Sequence, residues 1–178
     1  LSGTVAISAS GGIASFTGIS LQGLAGSKTL TAEVSSPATF SVSNTVTLTF
    51  GNVSQLTLER AAAGAANRIA FTTQPQIALR DSAGNIVTGV NAAIGFTVSP
   101  NITVTSGTAS VNTTSGIATF AGSFLTGTVG SYTLSYSVAG ASASSIATVS
   151  QTLELTHGVG HSLGYLQQPS SFERAGIT

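Results

Sequence analysis

Residues 2–34 read SGTVAISASGGIASFTGISLQGLAGSKTLTAEV, and residues 106–138 read SGTASVNTTSGIATFAGSFLTGTVGSYTLSYSV. The two stretches align without a gap at an offset of 104, and 15 of their 33 positions are identical. The matches fall on turn glycines and on apolar positions together: Gly12-Ile13-Ala14 with Gly116-Ile117-Ala118, Phe16 with Phe120, and Leu30 with Leu134. A chance likeness between two Ser/Thr/Gly-rich stretches would not select both classes of position. An internal repeat of this kind constrains the architecture before any local reading begins.

A second match has a different offset. Gly64 to Pro75 (GAANRIAFTTQP) aligns with Gly158 to Pro169 (GVGHSLGYLQQP) at an offset of 94, so the stretch leading into it is ten residues shorter in the later copy. Repeats of about 95–105 residues have the size of an immunoglobulin-like sandwich, about 100 residues. Taking the Gly64 and Gly158 motifs as unit starts, residues 1–63 are the later part of one unit. Residues 64–157 are then a complete unit, and 158–178 open a following one. The pattern is already strand-like at Leu1-Ser2-Gly3-Thr4, as expected of a piece of a longer chain.

The local signals are those of strands. Lys28 to Val34, Val46 to Phe50, Arg68 to Phe71, Gln76 to Leu79 and Tyr132 to Val138 alternate apolar with polar residues. That period buries one face of an antiparallel sheet. Ser10-Gly11-Gly12, Asp81-Ser-Ala-Gly84-Asn85, Thr114-Ser115-Gly116 and Val129-Gly130-Ser131 punctuate the runs as turns. Glu59 to Ala66 is helix-permissive but carries Gly64, and reads as a linker with at most one helical turn. The predicted fold is all-β: tandem immunoglobulin-like antiparallel β-sandwiches. The alternation places Ile69, Phe71, Leu79, Phe96, Phe120, Leu134 and Val138 in the core of the complete unit. It assigns Tyr132 and Tyr136 to the outward face, as candidate exposed aromatics.

Composition narrows the function classes. Only 6% of residues are charged, and five Lys plus Arg balance five Asp plus Glu. A neutral surface offers no electrostatic attraction for nucleic acid or anionic membranes. Ser and Thr make up about 30% of the chain, well above ordinary usage. Cys and Met are absent, so side-chain sulfur oxidation has no target. No apolar run of about 18 residues is present to span a membrane as a helix. These features predict an extracellular or cell-surface protein.

The stretch Gln76-Ile-Ala-Leu-Arg-Asp81-Ser-Ala-Gly84-Asn85-Ile-Val-Thr-Gly89 resembles the V-x-L-x-D-x-x-G-N-x-V-x-G segment of bacterial immunoglobulin-like repeats. Such repeats occur in invasin- and intimin-type adhesins and in large repeat-built surface proteins. Gly116 to Phe120 and Gly130 to Leu134 are similar to the strand E–F region of that family, and the Gln-Pro pairs to the first strand of each unit. The resemblance covers most of the chain. It implies the fold and an extracellular location but no particular ligand.

The Asp81, Gly84, Asn85 turn has its own physical reading. Asp accepts backbone N–H groups, Gly supplies a positive φ and Asn tolerates one. A calcium ion would want six to eight oxygens, and the nearest other acids in sequence are Glu59 and Glu154. No metal or other cofactor is therefore expected, and stability should be indifferent to chelators. His157 and His161 are four residues apart on a glycine-rich junction with no third ligand in view, and read as linker residues. Gly-x-Ser-x-Gly, phosphate-loop spacing and a plausible carboxylate pair are all absent from the sequence, so no enzyme is expected. Asn52, Asn101 and Asn112 lie in Asn-x-Ser/Thr triplets, a frequency that so Ser/Thr-rich a chain reaches by chance.

The expected role is a structural stalk or filament whose partners are copies of the same chain or neighbouring repeats. Leu163 and Tyr165 are the candidate donor strand for the incomplete unit at residues 1–63. A rival expectation is an adhesin module that recognises a glycan or surface protein through loops at the end of a sandwich.

Overall fold

The computed structural model describes residues 1–34, 36, 39–105, 109–110, 115–139, 146–160 and 164. Among the described residues there are twelve β-strands and no α-helix, so the protein is all-β. The first two strands, β1 (Gly26–Val34) and β2 (Phe40–Leu48), pair only with each other in an antiparallel hairpin running from Gly26↔Leu48 to Val34↔Phe40. Residues before Gly26 form isolated bridges, Ser2↔Ser20 and Ser10↔Ile13, and are largely exposed.

The remaining strands build two principal sheets around one core. The three-stranded sheet has the order β3 (Gln55–Arg60), β5 (Gln76–Arg80), β9 (Ile117–Thr119). The five-stranded sheet runs β4 (Ala65–Ala66), β12 (Val149–Thr156), β11 (Gly130–Val138), β6 (Ala93–Ser99), β8 (Ala109–Ser110). Neighbours pair antiparallel, except that β4 runs parallel to β12. A short antiparallel pair joins β7 (Thr103–Thr105) to β10 (Phe124–Thr126).

The core draws on both principal sheets. Leu56, Ile77, Leu79 and Ala118 from one meet Ile94, Val98, Leu134, Tyr136, Val138, Leu153 and Leu155 from the other. Centrally placed β5 is buried on both faces at Ile77, Ala78 and Leu79, which is why it reads as a short continuous apolar run. Phe71 and Phe120 are buried, and Phe96 is half-buried against the same cluster.

Four features of the structure depart from the sequence reading. First, β3 lies before Gly64 yet forms the edge of the three-stranded sheet and buries Leu56, so a unit opening at Gly64 omits a strand of its own core. The Gly64 motif marks sequence similarity, whereas the open edge of β5 requires a hydrogen-bonding partner. Second, Ile69 is 41% exposed. Arg68 takes φ 65° and Ile69 donates its N–H to the Ala66 carbonyl, so Ala66 to Ile69 is a turn that strand alternation does not describe. Third, Tyr132 and Tyr136 are buried. Positions 132, 134, 136 and 138 are spaced by two, and a strand puts them all on one face with Leu134. Fourth, Glu59 to Ala66 holds the end of β3, a bridge at Ala63 and β4, with no helical turn.

Gly116 shows how tightly the loops are drawn in. Its φ is 64°, its carbonyl accepts the Leu79 N–H at 3.0 Å, and a Cβ there would run into the Val87 carbonyl oxygen. Gly116→Ala should therefore destabilise by more than about 1 kcal/mol. The check is a lower denaturant midpoint with an unchanged m-value.

Candidate functional site

Hairpin β1–β2 repeats the geometry of β11–β12. Each β1 residue stands 104 positions before its counterpart in β11, and each β2 residue from Val42 onward 107 before its counterpart in β12. Gly26↔Leu48 becomes Gly130↔Leu155, and Thr31↔Ser43 becomes Ser135↔Ser150. Hydroxyls bridge the last two pairs at 2.8 Å and 2.9 Å.

The inward face of β11–β12 consists of Tyr132, Leu134, Tyr136, Val138, Leu153 and Leu155, all buried beneath the three-stranded sheet. The corresponding hairpin face carries Leu30, Ala32, Val34, Val42, Val46 and Leu48, with Phe40 at its end, and two polar residues, Lys28 opposite Val46 and Asn44 opposite Leu30. Its far end is open among the described residues, with Val34 53%, Phe40 68% and Val42 71% exposed, while Leu30, Val46 and Leu48 nearer the base are half-buried. Phe16 is 44% exposed, whereas Phe120, its sequence counterpart, is buried between Phe96 and Tyr136. Tyr136 is replaced in the hairpin by Ala32, and among the described residues no strand stands where β6 would be. The face is a largely apolar sheet surface of the kind that monomers rarely leave open.

The sequence reading expected residues 1–63 to be an incomplete unit but did not name the residues of this face. Its signal was there: the alternation seen at Val46 to Phe50 runs back in phase through Val42 to Phe40.

At the base of the hairpin sits the Asp81–Asn85 turn. Asp81 and Asn85 are buried. Asp81 Oδ1 accepts the N–H groups of Ala83 (2.9 Å) and Asn85 (2.8 Å). Its Oδ2 accepts Gly51 N–H (2.8 Å) and Asn85 Nδ2 (2.9 Å). Gly84 closes the turn at φ 87°, with its N–H on the Asp81 carbonyl at 3.0 Å. Both carboxylate oxygens are thus engaged by N–H donors, and a cation would have to displace them. Among the described residues no group of three or more His, Cys, Asp or Glu side chains could hold a metal.

These donors hold the Asp81 carboxyl down at about 2, the Asn85 amide contributing most and the Gly51 N–H next, against the opposing effect of burial. A carboxyl depressed in the folded state stabilises above its unfolded value, near 3.8, and loses that contribution as pH falls toward 2. Melting temperature should therefore hold steady from about pH 7 to 5 and decline through about pH 4 to 2. In Asp81→Asn that decline should be shallower, as thermal melts across the range would show.

The neighbouring Arg80 fastens β5 to β3, with Nη2 2.8 Å from Glu59 Oε1 and Nε 2.9 Å from Thr57 Oγ1. Glu59 is lowered in pKa, first by the Thr57 hydroxyl and then by Arg80. The Tyr136 hydroxyl is pushed up by burial and donates to Gln151 Oε1 at 3.3 Å.

The other sequence candidates are scattered. His157, Asn52 and Asn101 are exposed and lie apart from any cluster of titratable groups. Glu154 is exposed on β12. His161, Leu163, Tyr165 and Asn112 lie outside the described residues. Among the described residues no helix is long and apolar enough to cross a membrane. Comparison with protein-family models and with curated proteins returned no match.

Proposed function

We propose that the chain is a structural component of an extracellular filament or stalk, built from repeated immunoglobulin-like sandwiches that complete one another by strand donation. The strand order supports the sandwich reading. Orders β3-β5-β9 and β12-β11-β6 correspond to the A-B-E and G-F-C runs of that fold. Tyr132, near the start of β11, donates its hydroxyl to the Thr128 carbonyl at 2.7 Å, in the manner of a tyrosine corner. Hairpin β1–β2 is then the F–G pair of a preceding unit, and the family resemblance of the Asp81 stretch points the same way.

One observation supports the functional reading: the hairpin face that corresponds to the buried face of β11–β12 has no sheet opposite it among the described residues. Residues 158–169 repeat Gly64 to Pro75, the stretch that follows β3 in the two-sheet body. Donated to a neighbouring copy's hairpin, they make a head-to-tail contact that propagates as a fibre. Tyr132 and Tyr136 are core residues and so offer no exposed aromatic surface, while the adhesin alternative, which rests on loops at the end of a sandwich, is left as the second reading.

Sedimentation velocity over a concentration series tests the proposal, with electron microscopy of the same samples. The native chain should form concentration-dependent oligomers and linear rods. A Leu163→Lys/Tyr165→Lys variant should stay monomeric with an unchanged melting temperature. A native chain that sediments as a monomer throughout, or a variant that assembles equally well, would overturn strand donation.

A further inference from the structure

The Asp81–Asn85 turn reaches beyond its own sheet. Asn85 Nδ2 donates to the Gly23 carbonyl at 3.0 Å, and Asn85 Oδ1 accepts the Ala25 N–H at 2.7 Å. Asp81 Oδ2 takes the Gly51 N–H at 2.8 Å. Gly23 and Ala25 immediately precede β1, and Gly51 follows β2, so one turn grips both legs of the hairpin. Asp81 is 4% and Asn85 9% exposed, so these bonds are sheltered from water, where a missing partner costs most.

A related carboxamide hook occurs elsewhere in the chain, differing on the N–H side: Asn85 takes the N–H of Ala25, whereas Asn67 takes that of Gly127 itself. Gly127 stands 104 positions after Gly23. Asn67 donates Nδ2 to its carbonyl at 2.7 Å and accepts its N–H at 3.3 Å. The peptide that leads into this strand therefore takes a carboxamide hook in both places. Within the two-sheet body Asn67 supplies it, and at the junction Asn85 supplies it from the body to the hairpin.

We propose that Asp81 and Asn85 form an inter-unit clasp that fixes the hairpin's orientation on the two-sheet body and stiffens the junction between successive units. Its ligand is the backbone of this chain on either side of the hairpin. The division of labour is specific. Oδ1 of Asp81 and the Gly84 turn shape the clasp, while Oδ2 of Asp81 and the Asn85 carboxamide close it. The inference rests on reading the hairpin as part of a preceding unit, but not on assembly between chains.

The chain has no cysteine, so spin labels can be placed at will. Labels at Thr45→Cys on β2 and Thr97→Cys on β6, both exposed positions, report the hairpin-to-body distance by double electron–electron resonance. Dilution with excess unlabelled chain keeps the signal intramolecular, so the result is readable whether or not copies assemble. The native distribution should be narrow. Asn85→Ala should broaden it at least about twofold. Asp81→Asn should do the same, because its amide can keep an oxygen toward Ala83 and Asn85 only by turning N–H toward Gly51 N–H. Asn67→Ala, which acts within the body, should leave the width unchanged. Equal widths in native and Asn85→Ala chains would overturn the clasp, as would equal broadening by Asn67→Ala.

Discussion

Replacing Phe120 with alanine should lower the stability of the two-sheet body by about 3–5 kcal/mol, the cost of deleting a buried aromatic ring and leaving its cavity. Phe120 follows β9 in the chain and projects into the space between the sheets, 3% exposed. Its ring lies 5.4 Å from Phe96 at 67° and 5.8 Å from Tyr136 at 60°. Phe96 and Tyr136 are themselves 5.7 Å apart. Edge-on contacts of this kind add to burial, and one deletion breaks two of the three. Both surviving rings sit on paired residues of β6 and β11 within the five-stranded sheet, so neither can move far to fill the void. The melting temperature should fall by more than about 12 °C, at a few degrees per kcal/mol for a domain of this size. Phe16→Ala is the matched control. That ring is the sequence counterpart of Phe120 but is 44% exposed, and its loss should change stability by less than about 0.5 kcal/mol. Equal effects from the two substitutions would mean that the core has been misassigned.

The second large effect is expected on association. Phe40→Lys with Val42→Lys puts two charges on the hairpin face that the strand-donation proposal covers. Burying a Phe or Val side chain is worth about 1.5–3 kcal/mol. Losing both should weaken association at least about a hundredfold, before the cost of burying an ammonium is counted. The two-sheet body should melt as in the native chain, because Phe40 and Val42 are among the most exposed large apolar residues. Sedimentation and thermal melts on the same preparation separate the two readouts. Undiminished association would place the contact elsewhere.

The all-β class was legible because period-two alternation and turn residues agree along most of the chain. Pairing was harder. Strand β3 lies upstream of the motif that marks a unit's start, and its membership follows from the open edge of β5 rather than from any local signal. Ile69 shows the limit of alternation over four residues: a turn at Arg68 satisfies the same pattern. Tyr132 and Tyr136 were misplaced although their spacing from Leu134 puts them inside. Their hydroxyls are accommodated by the Thr128 carbonyl and the Gln151 side chain, so burial leaves neither without a partner.

Of the candidate site, the Asp81–Asn85 turn could be read locally as a turn. Its reach to Gly23, Ala25 and Gly51 could not, because those contacts join residues 30 to 62 positions apart. Which residues of the incomplete unit form its open face was not legible for a related reason. Alternation marks an apolar face as buried, and only the sheet order reveals that no sheet in the described structure lies over it.

Strand donation from one chain to the hairpin of another is tested most directly by cross-linking between two populations. The native chain lacks cysteine, so a chain carrying Val42→Cys and a chain carrying Tyr165→Cys each hold one thiol. Mixed and mildly oxidised, they should give a disulfide-linked dimer of one chain of each kind, in excess of the homodimers that either forms alone. A mixture that yields no hetero-linked dimer, at concentrations where the native chain assembles, would contradict the account.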